Sequence, residues 1–188
     1  GSPFLHDFAR NPEYAESFIV KYPSILLSVS QMSEVFFILT IPYFLKRFGI
    51  KTVMLMSMVA WMLRFGLFAF GDPSAVGFGL LMLSMIVYGC AFDFFNISGS
   101  VFVEQEVGPD IRASAQGLFM TTVNGIGAYF GSILSGMAVD YFSVDGVKDW
   151  QTIWLVFAAY ALGLAVVFYF SFNYRHSQKN SELRTVVH

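Results

Sequence analysis

Apolar residues in this chain are gathered into five long segments, and short polar stretches separate the segments without the period-two alternation of strands. Each segment holds about 20 residues, the length that an α-helix needs to cross a hydrocarbon layer about 30 Å thick. Because backbone amides in lipid have to be paired within their own segment, we predict a helix for each. The five predicted membrane spans are 24–45, 52–70, 76–102, 113–139 and 152–172.

Basic residues are distributed unevenly between the two ends of the predicted spans. Seven of the 11 Lys and Arg residues flank one side, and three flank the other. The positive-inside rule therefore predicts that the richer side faces the cytoplasm. On this orientation residues 1–23 form an extracytoplasmic loop, 24–172 form the transmembrane part, and 173–188 form a cytoplasmic tail. An N-terminus outside the cell is typical of a chain that lacks an odd number of earlier spans, so we expect a fragment of a longer protein.

The composition agrees with a membrane protein and argues against other classes. Hydrophobic residues make up 56% and charged residues 13%, whereas roughly a quarter of a soluble domain is charged. The net charge of −2 comes without a basic cluster, so we expect no nucleic-acid partner. Cys90 is the one cysteine, so we expect neither an internal disulfide nor a metal site, and Cys90 is interpreted as a packing residue.

Three ionisable residues lie within the predicted spans: Glu34, Arg64 and Asp93. A charge at that depth costs about 2.5–3.5 kcal/mol on insertion scales, so each is a candidate functional residue. Arg64 is close to the outer end of its span, and we expect its long side chain to reach the interface or to form a structural ion pair. No span contains a histidine or a nucleophile paired with a base, so we predict neither an enzyme nor a cofactor site.

Polar residues in the first span recur at helical spacing. Ser24, Ser28, Gln31 and Glu34 follow one another at steps of four and three residues, which places them on one helix face. Gln31 and Glu34 are one turn apart and together offer donors and acceptors to a hydroxylated ligand. The alternative is a polar pair that binds a neighbouring helix.

Aromatic and polar residues also recur at helical spacing along the third span. Tyr88, Phe92 and Asn96 are spaced four residues apart, and Asp93 lies on an adjoining face. Aromatic rings stack on flat heterocycles and on the apolar faces of sugars, and a carboxyl group at this depth can carry a proton. The alternative is that the rings belong to the core and that Asp93 pairs with a basic residue.

The last two spans differ in their small residues. Gly127, Gly131 and Ser135 in the fourth span repeat at four-residue steps, a pattern that allows two helix backbones to approach closely. We therefore predict a tight helix contact there. The fifth span is rich in aromatic and branched residues without any charge, so we predict that it faces lipid.

The segment 88–104 (YGCAFDFFNISGSVFVE), followed by 111–117 (IRASAQG), resembles the bacterial nucleoside–proton symporter family of the major facilitator superfamily. Further similar segments are 30–34 (SQMSE), 47–51 (RFGIK) and 149–152 (DWQT). The resemblance implies an all-α membrane protein whose five helices correspond to helices 8–12 of a twelve-helix transporter. The N-terminal seven helices of the same transporter would be missing from this chain.

The resemblance also implies roles for individual residues. Gln31, Glu34, Tyr88, Phe92 and Asp93 resemble the family's substrate-binding residues, and Asp93 and Glu34 are the candidates for proton coupling. The implied function is proton-coupled uptake of nucleosides across a bacterial inner (cytoplasmic) membrane, with a nucleoside and a proton as partners and no cofactor. The alternatives are a non-transporting membrane scaffold or assembly subunit, or a major facilitator superfamily transporter of another small polar solute.

Overall fold

The computed structural model describes residues 22–72, 74–144 and 147–172. Almost all of the predicted extracytoplasmic loop, 1–23, and all of the predicted tail, 173–188, lie outside the described residues. The described chain is predominantly helical, with one short two-stranded ribbon. The α-helices are α1 (Pro23–Ala69), α2 (Ala75–Glu106), α3 (Arg112–Met120), α4 (Ala128–Tyr141) and α5 (Trp150–Ser171).

Short elements connect these helices. A 3₁₀ turn, Pro109–Ile111, precedes α3, and a π-helical segment, Thr121–Gly127, joins α3 to α4 without an intervening loop. The strands β1 (Ser143–Val144) and β2 (Val147–Lys148) pair antiparallel between α4 and α5. The predicted fourth span, 113–139, is thus helical throughout, although its helix type changes in the middle.

The first two predicted spans are joined at a single residue within α1. Gly49 has φ 76° and ψ 166°, whereas its neighbours on both sides are helical. A positive φ of this kind is easily adopted only by glycine. Ile41 and Val53 belong to one apolar cluster around Phe94, although they lie on opposite sides of Gly49. The chain therefore reverses direction at Gly49, and the connection is shorter than the six-residue turn that the predicted boundaries imply.

Three described helices are long and apolar enough to cross a membrane: Ser28–Ala69, Val76–Glu106 and Trp150–Ser171. The first contains the reversal at Gly49. Helices of this length and composition are typical of a multi-pass helical membrane protein. The predicted end of the third span at residue 102 is early, because α2 continues to Glu106.

α1 packs against α2 and α5, and two apolar clusters mark these contacts. Phe68 of α1, Leu81 of α2 and Trp154 of α5 meet in one cluster, where Phe68 and Trp154 stack with ring centroids 4.8 Å apart. Ile41 and Val53 of α1 pack on Phe94 of α2 in the other cluster. Lipid supplies little hydrophobic driving force between helices, so close packing of this kind and hydrogen bonds between helices hold them together.

Two helix backbones approach each other closely at Gly89 of α2. A Cβ atom on Gly89 would lie 2.6 Å from Ser33 Oγ and 2.9 Å from the backbone nitrogen of Glu34. Two serine hydroxyls of α1 support this contact, because Ser33 Oγ donates to the carbonyl of Ile86 and Ser57 Oγ donates to that of Ala91. The approach brings the polar face of α1 directly against the aromatic face of α2.

The tight contact predicted on the fourth span is not made with any helix among the described residues. A Cβ atom added to Gly131 or Gly136 would meet nothing within 4 Å. Large apolar side chains on the same helix, including Phe130 and Leu134, are exposed. A pattern of small residues shows that a helix surface permits close approach, but it does not say which neighbour approaches.

The last helix, α5, lies along the second part of α1. Ile153, Trp154, Ala161 and Ala165 are its buried residues, and most of its other large side chains are exposed. Near its end, Lys51 Nζ of α1 donates to the carbonyl of Tyr169 over 2.9 Å. The exposed apolar surface, with Phe170 77% exposed, agrees with the predicted lipid-facing position.

Candidate functional site

The close approach at Gly89 brings the ionisable residues of three predicted spans together. Glu34 lies on α1 next to the contact, and Tyr88 and Asp93 lie on α2. Arg64, on the second part of α1, interacts electrostatically with both Glu34 and Tyr88, and Glu34 also interacts with Asp93. We call these four residues, together with Phe92, the α1–α2 cluster.

The two aromatic residues of the cluster lie side by side on α2. The rings of Tyr88 and Phe92 are stacked, with centroids 5.7 Å apart and planes at 24°. Their spacing of four residues places them one turn apart on one helix face. Trp61 of α1 meets Tyr88 edge to face at 5.9 Å. The aromatic platform predicted from the spacing is therefore present, and both rings are only half-buried.

Arg64 packs against three aromatic rings. Its guanidinium carbon lies 4.0 Å from the centroid of Tyr88, and Trp61 and Phe68 are within 5.5 Å. Its Nη1 atom is buried without a hydrogen-bond partner. Among the residues that the structure describes, no carboxylate is within ion-pair distance of Arg64. The predicted ion pair is thus absent there, and the guanidinium is packed among aromatic rings.

Asp93 is the most deeply buried charged residue of the cluster. It is 7% exposed, and its Oδ2 atom has no hydrogen-bond partner. The alternative expectation, a pair between Asp93 and a basic residue, is not met in the described part of the chain. Buried polar atoms in native proteins are rarely left unpaired, and the exceptions include functional groups.

Gln31 is separate from the other predicted site residues. It lies one turn before Glu34 on α1 and is exposed, whereas Glu34 is half-buried. No hydrogen bond or ring contact in the described chain joins Gln31 to α2, so its amide is not bound to a neighbouring helix there. The structure thus brings Glu34, Tyr88, Phe92 and Asp93 together, and it leaves Gln31 at their edge.

Asn124, a residue not singled out from the sequence, connects the π-helical segment to α2. Its Nδ2 atom donates to Asn96 Oδ1 over 3.2 Å, and Asn96 Nδ2 donates to the carbonyl of Phe92 over 2.9 Å. Short π-helical segments occur often at functional sites. A polar amide at the centre of an otherwise apolar span was the available signal for this residue.

A groove of about 640 Å³ opens on the other side of Arg64, between α1, α4 and α5. Arg64 and Trp61 line both this groove and the cluster around Tyr88. None of the five predicted site residues lines the groove. Its wall is apolar and aromatic, with Phe65, Phe68, Trp150, Trp154 and Tyr160.

The chain matches the family model described as nucleoside H+ symporter over residues 1–177. It is 80% identical over all 188 residues to the xanthosine permease of Escherichia coli K12, and 57% identical to the nucleoside permease NupG of the same strain. The chain spans 45% of the length of each of these relatives. A crystal structure of nucleoside transporter NupG has a TM-score of 0.87 at 59% identity, covering 93% of this chain and 43% of that chain.

Proposed function

This chain belongs to the nucleoside H+ symporter family, and from that premise we propose that it is the C-terminal part of a proton-coupled nucleoside transporter. We assign its five helical spans, the two halves of α1 among them, to helices 8–12 of a twelve-helix major facilitator superfamily protein. Seven further helices would then lie in the part of the relatives' length that this chain does not cover.

The single observation that carries the proposal is the α1–α2 cluster. Two half-buried stacked rings, a half-buried carboxylate and a buried carboxyl group meet where α1 and α2 are in backbone contact. Groups this polar are costly within a membrane and are typical of a substrate or ion pathway. A scaffold helix pair does not require them.

In this proposal the cluster recognises the two parts of a nucleoside. The base stacks beside Tyr88 and Phe92, because aromatic rings stack favourably on flat heterocycles. The ribose hydroxyls hydrogen-bond to Glu34 and Gln31, which offer acceptor oxygens and an amide NH₂ group on the same helix face. The stacking of Tyr88 on Phe92 and the half-buried position of Glu34 support these assignments.

Asp93, or Glu34, takes up the coupling proton from outside. A charged carboxylate opposes closure of the cavity around it, since closure removes the remaining water. Protonation removes that charge, so the inward switch of two rocking halves becomes favourable when a proton and a nucleoside are both bound. The buried, unpaired Oδ2 of Asp93 favours Asp93 as the proton carrier.

The proposed location is a bacterial inner membrane. In the orientation set by the basic residues, 1–23 is extracytoplasmic and 173–188 is cytoplasmic. The reversal at Gly49, between Arg47 and Lys51, then lies on the cytoplasmic side.

The test is nucleoside uptake by proteoliposomes that contain the intact transporter. We expect an imposed pH gradient, acidic outside, to drive uridine uptake by the wild type and not by Asp93→Asn, which retains uridine exchange without a gradient. Asp140→Asn, at an exposed carboxylate near the end of α4, is the matched control and should keep gradient-driven uptake. Undiminished gradient dependence in Asp93→Asn would remove Asp93 from the coupling role.

Ligand-induced stabilisation separates the proposal from its alternatives. Uridine or adenosine should raise the melting temperature of the intact transporter in detergent. A scaffold or assembly subunit would not respond to either, and a carrier of another polar solute would respond to that solute instead.

A further inference from the structure

We propose that Arg64 is a positioning residue of the nucleoside site, because its guanidinium fixes the orientation of the Tyr88 ring. The inference rests on the proposed function, since it concerns how the platform for the base is held. In this proposal Arg64 itself does not contact the nucleoside.

The contacts of Tyr88 show why its ring needs such support. Its hydroxyl has no hydrogen-bond partner in the described chain, so its hydroxyl does not hold the ring. The Tyr88 ring is held by three side chains: Arg64, 4.0 Å from the ring centroid, Trp61 in an edge-to-face contact, and Phe92 stacked beside it. Phe92 is on the same helix as Tyr88, so Arg64 and Trp61 are the contacts that come from α1.

Arg64 is suited to this position by its shape and its charge. A planar guanidinium can lie flat on a ring face, and its attraction to the ring is strongest where water is excluded. Its Nη1 is buried, and Trp61 and Phe68 lie within 5.5 Å of the guanidinium carbon. The guanidinium therefore lies among the rings of Trp61, Phe68 and Tyr88.

The charge of Arg64 also matches its surroundings. Glu34 and Asp93 place two carboxyl groups in the same region, and Glu34 interacts electrostatically with Arg64. No other Lys or Arg is among the electrostatic partners of Tyr88 and Asp93 in the described residues. Arg64 therefore places a positive charge near the acidic groups while it packs on the ring.

The test measures uridine binding to the intact transporter in detergent by calorimetry. We expect Arg64→Gln to weaken binding by about 2- to 30-fold, the range that corresponds to the loss of one cation–π contact. Arg64→Lys keeps the charge without the flat group, so it should bind with intermediate affinity. Arg47→Gln is the matched control, because Arg47 also lies over a ring, that of Phe48 at 5.8 Å, but away from the cluster.

A double-mutant cycle shows whether Arg64 acts through the ring. In a Tyr88→Leu background, Arg64→Gln should have little further effect on the dissociation constant. If Arg64→Gln is not recovered as a monodisperse protein, Arg64→Lys takes its place in the cycle. We then expect Arg64→Lys to weaken uridine binding at least twofold when Tyr88 is present. The cycle excludes a purely structural role, which would give the same loss in both backgrounds.

The outcomes separate the two proposals. Suppose that the wild type binds uridine and that the Arg64→Gln variant, or the Arg64→Lys variant used in its place, binds uridine equally well. The inference about Arg64 is then wrong and the proposed function stands. Equal losses with and without Tyr88 also overturn the inference. If the wild type binds none of uridine, adenosine and xanthosine, the proposed function itself fails.

Discussion

Replacement of Gly89 by alanine tests the contact on which the α1–α2 cluster depends. The added Cβ would lie 2.8 Å from the backbone carbon of Ser33 and 2.9 Å from the nitrogen of Glu34. Both atoms are backbone, so no rotamer change relieves the clash. Since ordinary contacts begin near 3.4 Å, α1 and α2 have to separate by at least about half an ångström.

The expected cost follows from that displacement. Overpacking of a close contact destabilises a protein by about 1–3 kcal/mol, and the better helix propensity of alanine offsets up to about 1 kcal/mol. We therefore expect a net loss of about 1–2 kcal/mol in the free energy of unfolding. Uridine binding should weaken as well, because the shift moves Glu34 away from Tyr88 and stretches the bond from Ser33 to the carbonyl of Ile86.

The assay is thermal unfolding of the intact transporter in detergent, with and without uridine. Gly79→Ala is the matched control, because Gly79 is on the same helix and an added Cβ there meets nothing within 4 Å. It should be neutral or stabilising, with unchanged uridine binding. Equal melting temperatures and equal affinities for Gly89→Ala and Gly79→Ala would refute the reasoning.

Two further changes test the ends of the helices. Gly49→Ala should lower the free energy of unfolding by about 1–3 kcal/mol, because alanine is strained at this positive φ even though its Cβ would have free space. Thermal unfolding measures this loss, with Gly66→Ala, at a helical glycine, as the control. Hydrogen bonding by Thr152, first by its side chain and then by its backbone amide, holds the pKa of Asp149 below its usual value. The ionised Asp149 therefore stabilises the fold fully near neutral pH, and this stabilisation is lost as the pH falls through the lowered pKa. Asp149→Ala should accordingly lower the melting temperature near neutral pH and leave it unchanged in strongly acidic solution.

Helix positions could be predicted from the sequence because the length of an apolar run and the need to pair its amides leave few alternatives. The stacking of Tyr88 on Phe92 was predictable for the same kind of reason, since residues four apart share a helix face. The one-residue reversal at Gly49 was not predictable, because hydropathy locates a turn only to within several residues.

Contacts between helices were harder to predict. The repeated small residues of the fourth span suggested a close approach near Gly131, whereas the structure shows a close approach at Gly89, within a span noted for its aromatic residues. Arg64 was expected to reach the interface or to pair with an acid, and in the described residues it forms no ion pair and packs on Tyr88. Both outcomes depend on which faces of α1 and α2 meet, and periodicity within one helix carries no information about its neighbour.

The π-helical segment Thr121–Gly127 gives the fourth span one place where its length can change. A π turn holds one residue more than an α turn, so removal of a residue there would permit an ordinary α-helix. Because the wider turn absorbs the additional residue, the helix beyond it would keep nearly the same face toward its neighbours. Removal of a residue from α3 would instead rotate everything beyond it by about 100°, the angle between successive residues of an α-helix. Gly131 and Ser135 would then turn away from the groove that they line with Trp154. Natural variants should therefore tolerate the loss of a residue within Thr121–Gly127 better than the loss of a residue from α3.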